Sequence, residues 1–225
     1  MQTVTTASGT RIPAAIALKG TSALSSAAAT QGQRRSFKDG AELFAEGDTA
    51  ECFYKLLSGT VRTSKLLSDG RRQIDDFHLA GDIFGLEHGG QHRFTAEAIG
   101  AVEVLAFRRG RFSRLLHDDP EFGDLLMDSM LSSLDRAHDH MVLLGRKTAQ
   151  EKLATFLLDL AGRLAKNDQF DLPMRRSDIA DHLGLTIETV SRTLTQMARD
   201  GLIKLATGGR AVTLTNRVAL QQLND

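Results

Sequence analysis

The apolar positions change period along the chain. From Arg34 to about Arg109 they form short runs: Cys52 to Leu57, Thr60 to Thr63, Gln73 to Phe77 and Val102 to Phe107. These runs are rich in β-branched and aromatic residues and bounded by turn residues, which predicts strands. Gly47, Gly59, Gly70 and Gly81 recur about every eleven residues. That spacing suits a compact antiparallel barrel or roll, each glycine supplying the positive φ of a turn, although glycines in unrelated loops would look alike. Beyond Asp119-Pro120 the period becomes three and four. Met127, Met130, Leu134, Ala137, Met141 and Leu144 follow the a/d spacing of a coiled-coil seam, with polar residues between them. The stripe is narrower than the face a helix usually buries in its own domain. It predicts a helix over 119–146 that pairs with a second copy of the chain; packing within one domain is the alternative. A second helix, Thr148 to about Ala165, places Leu153, Phe156, Leu157, Leu160 and Leu164 on one face.

The last segment, within 147–225, carries the most specific pattern. Ser177 to Leu183 reads as a short helix with Ser177 as its N-cap, and Gly184-Leu185-Thr186 as a tight corner. Thr186 caps a second helix from Ile187 to about Asp200, which Gly201 ends. Ile179, Leu183, Leu185, Val190 and Leu194 fall where two such helices pack, and small Ala180 lets them approach. The free face of the second helix shows Glu188, Thr189, Ser191, Arg192 and Thr195. Arg can bridge the O6 and N7 acceptors of guanine, and Glu can accept from the cytosine amino group. Glu188 and Arg192 are four apart and can also pair with each other. Thr186 and Thr189, at a positive helix N-terminus, suit phosphates. Leu202 to Leu205 and Arg210 to Leu214, joined through Gly208-Gly209, predict a hairpin wing. The expectation is a winged helix-turn-helix that reads double-stranded DNA through Glu188, Ser191 and Arg192, with phosphate contacts at Thr186 and Thr189. A routine surface pair on an interaction-only bundle is the rival reading.

Composition narrows the setting. Among 225 residues, 41% are hydrophobic and 25% charged, with 28 Lys/Arg against 28 Asp/Glu. The chain is therefore no basic coat for nucleic acid, and any DNA contact must be local. From Asp171 onward there are seven Lys/Arg and six Asp/Glu, which favours specific recognition by a dimer over indiscriminate binding. Cys52 is the one cysteine, which excludes an intrachain disulfide and fits a reducing compartment. No apolar run reaches about 18 residues, so no membrane span is expected, and Lys19-Gly20 interrupt the only early apolar stretch. The expected location is cytoplasmic. Residues 1–33, rich in Ala, Thr, Ser and Gly, predict a flexible arm.

Arm, glycine-punctuated β-roll (34–118), long helix and winged reader together resemble the CRP/FNR superfamily of transcription regulators. The most specific match is Leu183-Gly184-Leu185-Thr186-Ile187-Glu188-Thr189-Val190-Ser191-Arg192, which resembles the E-x-x-S-R recognition helix of the FNR and FixK branch. The resemblance implies an α+β fold with an N-terminal cyclic-nucleotide-binding-like jelly roll. It also implies a homodimeric activator on a TTGAT-N4-ATCAA-like palindrome, contact with RNA polymerase, and control of microaerobic, anaerobic or nitrogen-fixation genes. Two sensors of related branches are not expected. The arm lacks the cysteines of an iron–sulfur cluster, and Cys52 alone cannot ligate one. Where a cyclic-nucleotide cassette needs Gly-Glu and Arg-Ser, this chain has Gly85-Leu86 and His92-Arg93. Arg93 substituting after a one-residue shift keeps a cyclic-nucleotide-responsive regulator open as an alternative. FixK-type regulators likewise lack both sensors, and no cofactor is expected.

Other candidates carry less. Glu87, His88 and His92 in a Gly-rich loop admit a metal, hence a metal-binding module with an accessory reader, but solvated loop histidines are commoner. His138 and His140 point to different sides of a helix. Cys52 beside Phe53 reads as a buried thiol. Asp75 and Asp76 face opposite sides of a strand. No nucleophile–base arrangement, Walker loop or dinucleotide fingerprint is present, so no enzyme is expected.

Overall fold

The computed structural model describes residues 32–164 and 168–223. The expected arm lies outside the described residues except for Gly32 and Gln33, and Gln33 opens the first strand. The strands of the roll are β1 (Gln33–Phe37), β2 (Glu42–Phe44), β3 (Cys52–Leu66), β4 (Arg72–Leu79), β5 (Ile83–Phe84) and β6 (Thr95–Arg108). They form one antiparallel sheet in the order β1-β6-β3-β4, with β2 on β6 and β5 on β3. The spine is the long β3–β6 ladder, from Cys52↔Arg108 to Ser64↔Thr95. Its register shifts on either side of Ser58, next to Gly59. Gly59 has φ +86°, and a Cβ there would lie 2.3 Å from the Ala101 carbonyl oxygen. The bend therefore needs a residue with no side chain. Gly47, Gly70 and Gly81 also have positive φ, as their spacing predicted. Gly59→Ala should destabilise the fold by about 2 kcal/mol or more through backbone strain and overlap. Thermal unfolding reads this as a loss of roughly 2–4 °C per kcal/mol for a chain this size.

Side-chain alternation divides the roll into two cores. Tyr54, Leu56, Val61, Val102 and Val104 face inward with Phe44 and Phe84. Their neighbours Phe53, Leu105 and Phe107 face outward, where Leu115, Phe122 and Leu126 cover them. Those covering residues belong to α1 (Phe112–Asp118) and α2 (Pro120–Arg146). Helix α2 starts where the sequence asks. Pro120 stands in its first turn, and the Asp119 carboxylate accepts the Phe122 N–H at 3.1 Å. Beyond Phe122 and Leu126 the helix touches the roll again through Arg136, whose Nε reaches Asp76 Oδ2 of β4 at 3.2 Å.

A two-residue link, Lys147-Thr148, leads into α3 (Ala149–Leu164). The reader follows: β7 (Gln169–Asp171), α4 (Arg176–Leu183), α5 (Ile187–Arg199), β8 (Ile203–Leu205), β9 (Ala211–Leu214) and α6 (Arg217–Gln222). Strand β9 lies between β7 and β8, so the wing is three-stranded; the periodicity had revealed only two of its strands. The reader core (Leu153, Leu157, Leu160, Ile179, Leu183, Val190, Leu194 and Met197) is continuous with Ile74, Phe77 and Leu79 of β4. The DNA reader is thus packed on the roll as well as tethered to it.

Candidate nucleic-acid interface

The corner between α4 and α5 is built from local chemistry. Gly184 takes the left-handed conformation (φ 62°, ψ 43°), and its N–H returns to the Ala180 carbonyl. The Leu185 N–H shares that carbonyl at 3.0 Å. Thr186 then caps α5, its hydroxyl accepting the Thr189 N–H at 3.2 Å. The last carbonyl of α4, Leu183, receives the buried Lys152 ammonium at 3.0 Å. This lysine ties the corner to α3, and periodicity gave no signal for it. Lys152→Met would strand that carbonyl, at a cost of about 1–3 kcal/mol. A lowered melting temperature with loss of DNA binding is the expected result.

The sequence placed the N-cap of α4 at Ser177, whereas the helix begins at Arg176 with Arg175 as its cap. Asp178, three residues on, accepts the Arg175 N–H at 3.1 Å. That carboxylate reaches a backbone donor which Ser177, already inside the helix, does not serve.

On α5, Val190, Leu194 and Met197 are fully buried against the reader core. Each such side chain stabilises the packing by roughly 1.5–3 kcal/mol. The opposite face carries Glu188, Arg192 and Thr195, all exposed, with Ser191 half-buried beside them. No ion pair joins Glu188 to Arg192, or either to another described residue, so both heads are free to meet a partner. Ile187, at the first position of α5, is 49% exposed although apolar. It was not among the expected contacts, because an Ile at a helix start reads as core. Thr186 and Thr189 also join their hydroxyls at 3.0 Å, leaving the exposed Thr186 oxygen at the helix N-terminus.

Along α2, Met127, Met130, Leu134 and Met141 lie between 47% and 65% exposed, as do their neighbours Leu131 and Val142. Ala137 is exposed with them. Leu144, expected in the same row, instead turns half-buried against the reader core, 3.4 Å from where a Gly184 Cβ would stand. The helix is by then passing the corner, and the apolar reader draws Leu144 out of the stripe.

Inside the roll, the positions aligned with a nucleotide cassette do other work. Leu86 packs with Phe53 and Ile83. The His92 ring, 3% exposed, stacks on Phe44 at 3.6 Å, and its Nδ1 lies 3.0 Å from Glu87 Oε2. Tyr54 and Phe84 extend the aromatic stack. Arg93 is exposed and lines an open surface pocket with Lys65, Gly89, Gly90 and Gln91. A cyclic phosphate within the aromatic stack would find no inward guanidinium, and burying it unpaired is costly. Cys52 is a buried free thiol, and His88 is exposed. Among the described residues, no group of three or more metal-ligating side chains comes together.

At the join of roll and reader, the His140 ring stacks on His182 at 4.1 Å, and His182 Nδ1 donates to the Ile74 carbonyl at 3.2 Å. Burial, then the neighbouring His182, pushes His140 down to about 4; Asp76 opposes this and Lys152 adds to it. Burial also lowers His182, against the pull of Asp76. The unfolded chain takes up protons below about pH 6.5 that the folded histidines refuse. Stability carried by this join is therefore complete above that pH and declines as pH falls toward 4. A melting temperature that drops across this window, and drops less in His140→Phe, is the expected outcome.

A glycine-cornered helix pair with a wing, carried behind a β-roll and a long helix, defines a DNA-binding transcription regulator. Residues 34–119 match the cyclic nucleotide-binding domain family, and residues 151–223 the Crp-like helix-turn-helix domain family. The nitrogen fixation regulation protein FixK of Bradyrhizobium diazoefficiens is 47% identical over 182 residues, covering 79% of this chain and 77% of that protein. The fumarate and nitrate reduction regulatory protein of Escherichia coli is 33% identical over 197 residues, 85% of this chain and 78% of that one. The solved structure of FixK2 from Bradyrhizobium japonicum matches with a TM-score of 0.80 at 44% identity, covering 86% of this chain and 98% of that chain. The chain belongs to the CRP/FNR family of transcription regulators, and FixK proteins are among its similar relatives.

Proposed function

We propose that the protein acts as a cytoplasmic homodimeric activator of the FixK type, reading a TTGAT-N4-ATCAA-like palindrome in the control of nitrogen-fixation or low-oxygen genes. The observation that carries this reading is the face of exposed, unpaired Glu188 and Arg192, with half-buried Ser191 between them, on a helix whose other face is fully buried. Arg192 reads guanine, Glu188 accepts from cytosine, and Ser191 adds the contact that selects a TTGA-type half-site. Ile187, exposed beside Glu188, suits a thymine methyl group. Thr186 and Thr189 hold phosphates at the helix N-terminus. The α2 stripe of Met127, Met130, Leu134, Ala137 and Met141, widened by Leu131 and Val142, meets its own copy. A two-fold dimer presents two readers to half-sites one helical turn apart. RNA polymerase is the further partner this activity needs.

No helix among the described residues is long and apolar enough to cross a membrane. Selection of bound sites from random duplexes, with purified protein and no added effector, tests the reading. Recovery of a TTGA-type palindrome is expected. A requirement for cyclic AMP or GMP, or their binding by calorimetry at micromolar level, would overturn the effector-free part.

A further inference from the structure

Helix α4 is held on the roll by a chain of charges that links residues more than a hundred positions apart. Arg62 of β3 grips Glu97 of β6 side-on, with Nε–Oε2 and Nη2–Oε1 both at 3.1 Å, and extends Nη1 to Asp178 Oδ1 at 3.1 Å. Arg72, which opens β4, reaches the same Asp178 oxygen at 2.6 Å and Asp181 Oδ2 at 2.7 and 2.9 Å. Asp178 is 2% exposed, and its second oxygen holds the Arg175 N–H that starts the helix. One turn further on, Gln73 donates to the His182 carbonyl at 3.1 Å. Asp178 and Asp181 are three apart and so share one face of α4.

Apolar contact alone would tolerate rotation of the reader. Ile74, Phe77 and Leu79 offer β-strand side chains to a helical surface, and dispersion is non-directional. The other tethers are the short Lys147-Thr148 link, with Lys147 in extended backbone, the bonds from Arg163 of α3 to the Phe77 carbonyl and Asp82, and that from His182 to the Ile74 carbonyl; none of them reaches the first turn of α4. Guanidinium forks that each span two carboxylates have a defined plane and length. A buried ionic network of this kind contributes geometry more dependably than net stability. Because α5 is packed rigidly on α4, whatever sets the attitude of α4 sets that of the reading helix.

We propose that Arg62 and Arg72 are positioning residues for DNA recognition: through Asp178 and Asp181 they fix the angle of the reader against the roll, on which the long helix is seated, so that both readers of a dimer meet successive major grooves together. This rests on the DNA-reading dimer proposed above. It assigns a function to two roll residues that touch no DNA. Loss of the clamp leaves each reader able to bind its half-site, while the second half-site no longer binds from a preset position.

The test uses the full-length protein and two duplexes, one with the whole TTGAT-N4-ATCAA palindrome and one with a single half-site. Arg72→Gln is the informative variant, because Asp178 keeps Arg62. Palindrome affinity should fall about tenfold or more, half-site affinity should stay within twofold, and sedimentation should still show a dimer. Arg72→Lys, a point charge that cannot span two carboxylates, should fall between. Asp181→Asn should act in the same direction, and adding it to Arg72→Gln should cost little more, since both act through one contact. Should Arg72→Gln fold poorly, Asp181→Asn gives the same comparison with Arg72 still paired to Asp178. Equal losses on both duplexes would overturn the proposal, since Arg72 would then support the reader itself. Unchanged or tighter palindrome binding would overturn it too. A wild-type protein that bound neither duplex would refute the DNA reading, and the clamp with it, an outcome distinct from a bound wild type and an unaffected variant.

Discussion

Arg192→Ala should weaken binding to the specific palindrome by about 1–3 kcal/mol per half-site and relax discrimination at one base pair in each half. Two half-sites double the penalty in a dimer, so roughly a thirtyfold loss or more is expected on the full site. The basis is geometric. The guanidinium is exposed on the outer face of α5, has no ion-pair partner among the described residues, and stands one turn beyond Glu188. A substitution that removed only a phosphate contact would weaken all sequences alike and reduce the salt dependence. Binding to the specific site and to single-base variants at two salt concentrations separates the outcomes. Uniform weakening would make Arg192 a backbone contact.

Met141→Lys, alone or with Met130→Lys, should convert the dimer to monomer and lower palindrome affinity by about 10²–10⁴, the advantage that linking two readers confers. Six large apolar side chains on one exposed helix face are too many to leave to water without cause, and a two-fold axis along the stripe sets each position near its own copy. Lysines there bring like charges together in a desolvated seam. Sedimentation at micromolar concentration is the direct reading, and an intact dimer would move the interface elsewhere. Leu144→Lys should behave differently, because Leu144 leans on the reader core. Its expected effect is on folding of the corner.

The parts legible in advance were those governed by short-range rules. Gly184 had to turn left-handed for a tight corner, Thr186 had a backbone donor three residues on, and Val190 and Leu194 shared a face by helical spacing alone. The glycines of the roll were recognisable because positive φ is a local demand. The outer face of α5 followed from what the buried face excluded, so the exposure of Glu188 and Arg192 was available from the linear pattern; that they read bases is the proposal made above. Local rules failed at the start of α4, where two residues each offer a different way to begin the helix. Ser177 is a good cap in isolation, but Asp178 has the reach to bond the Arg175 N–H.

Contacts between distant segments were not available in this way. Arg62 and Arg72 look like ordinary solvated strand residues, as Asp178 and Asp181 look like helix-surface acids; nothing at a separation of more than a hundred residues marks them as partners. The same holds for Lys152 at the Leu183 carbonyl, for β7 beside β9, and for Leu144 leaving its stripe. Periodicity reports which side of an element is apolar and is silent about which neighbour covers it. The chain's local order thus specifies a DNA reader, a long apolar-striped helix and a roll. Their mutual angle depends on charges that meet only after the chain has folded, because Coulombic and hydrogen-bond geometry acts through space and leaves no period along the sequence.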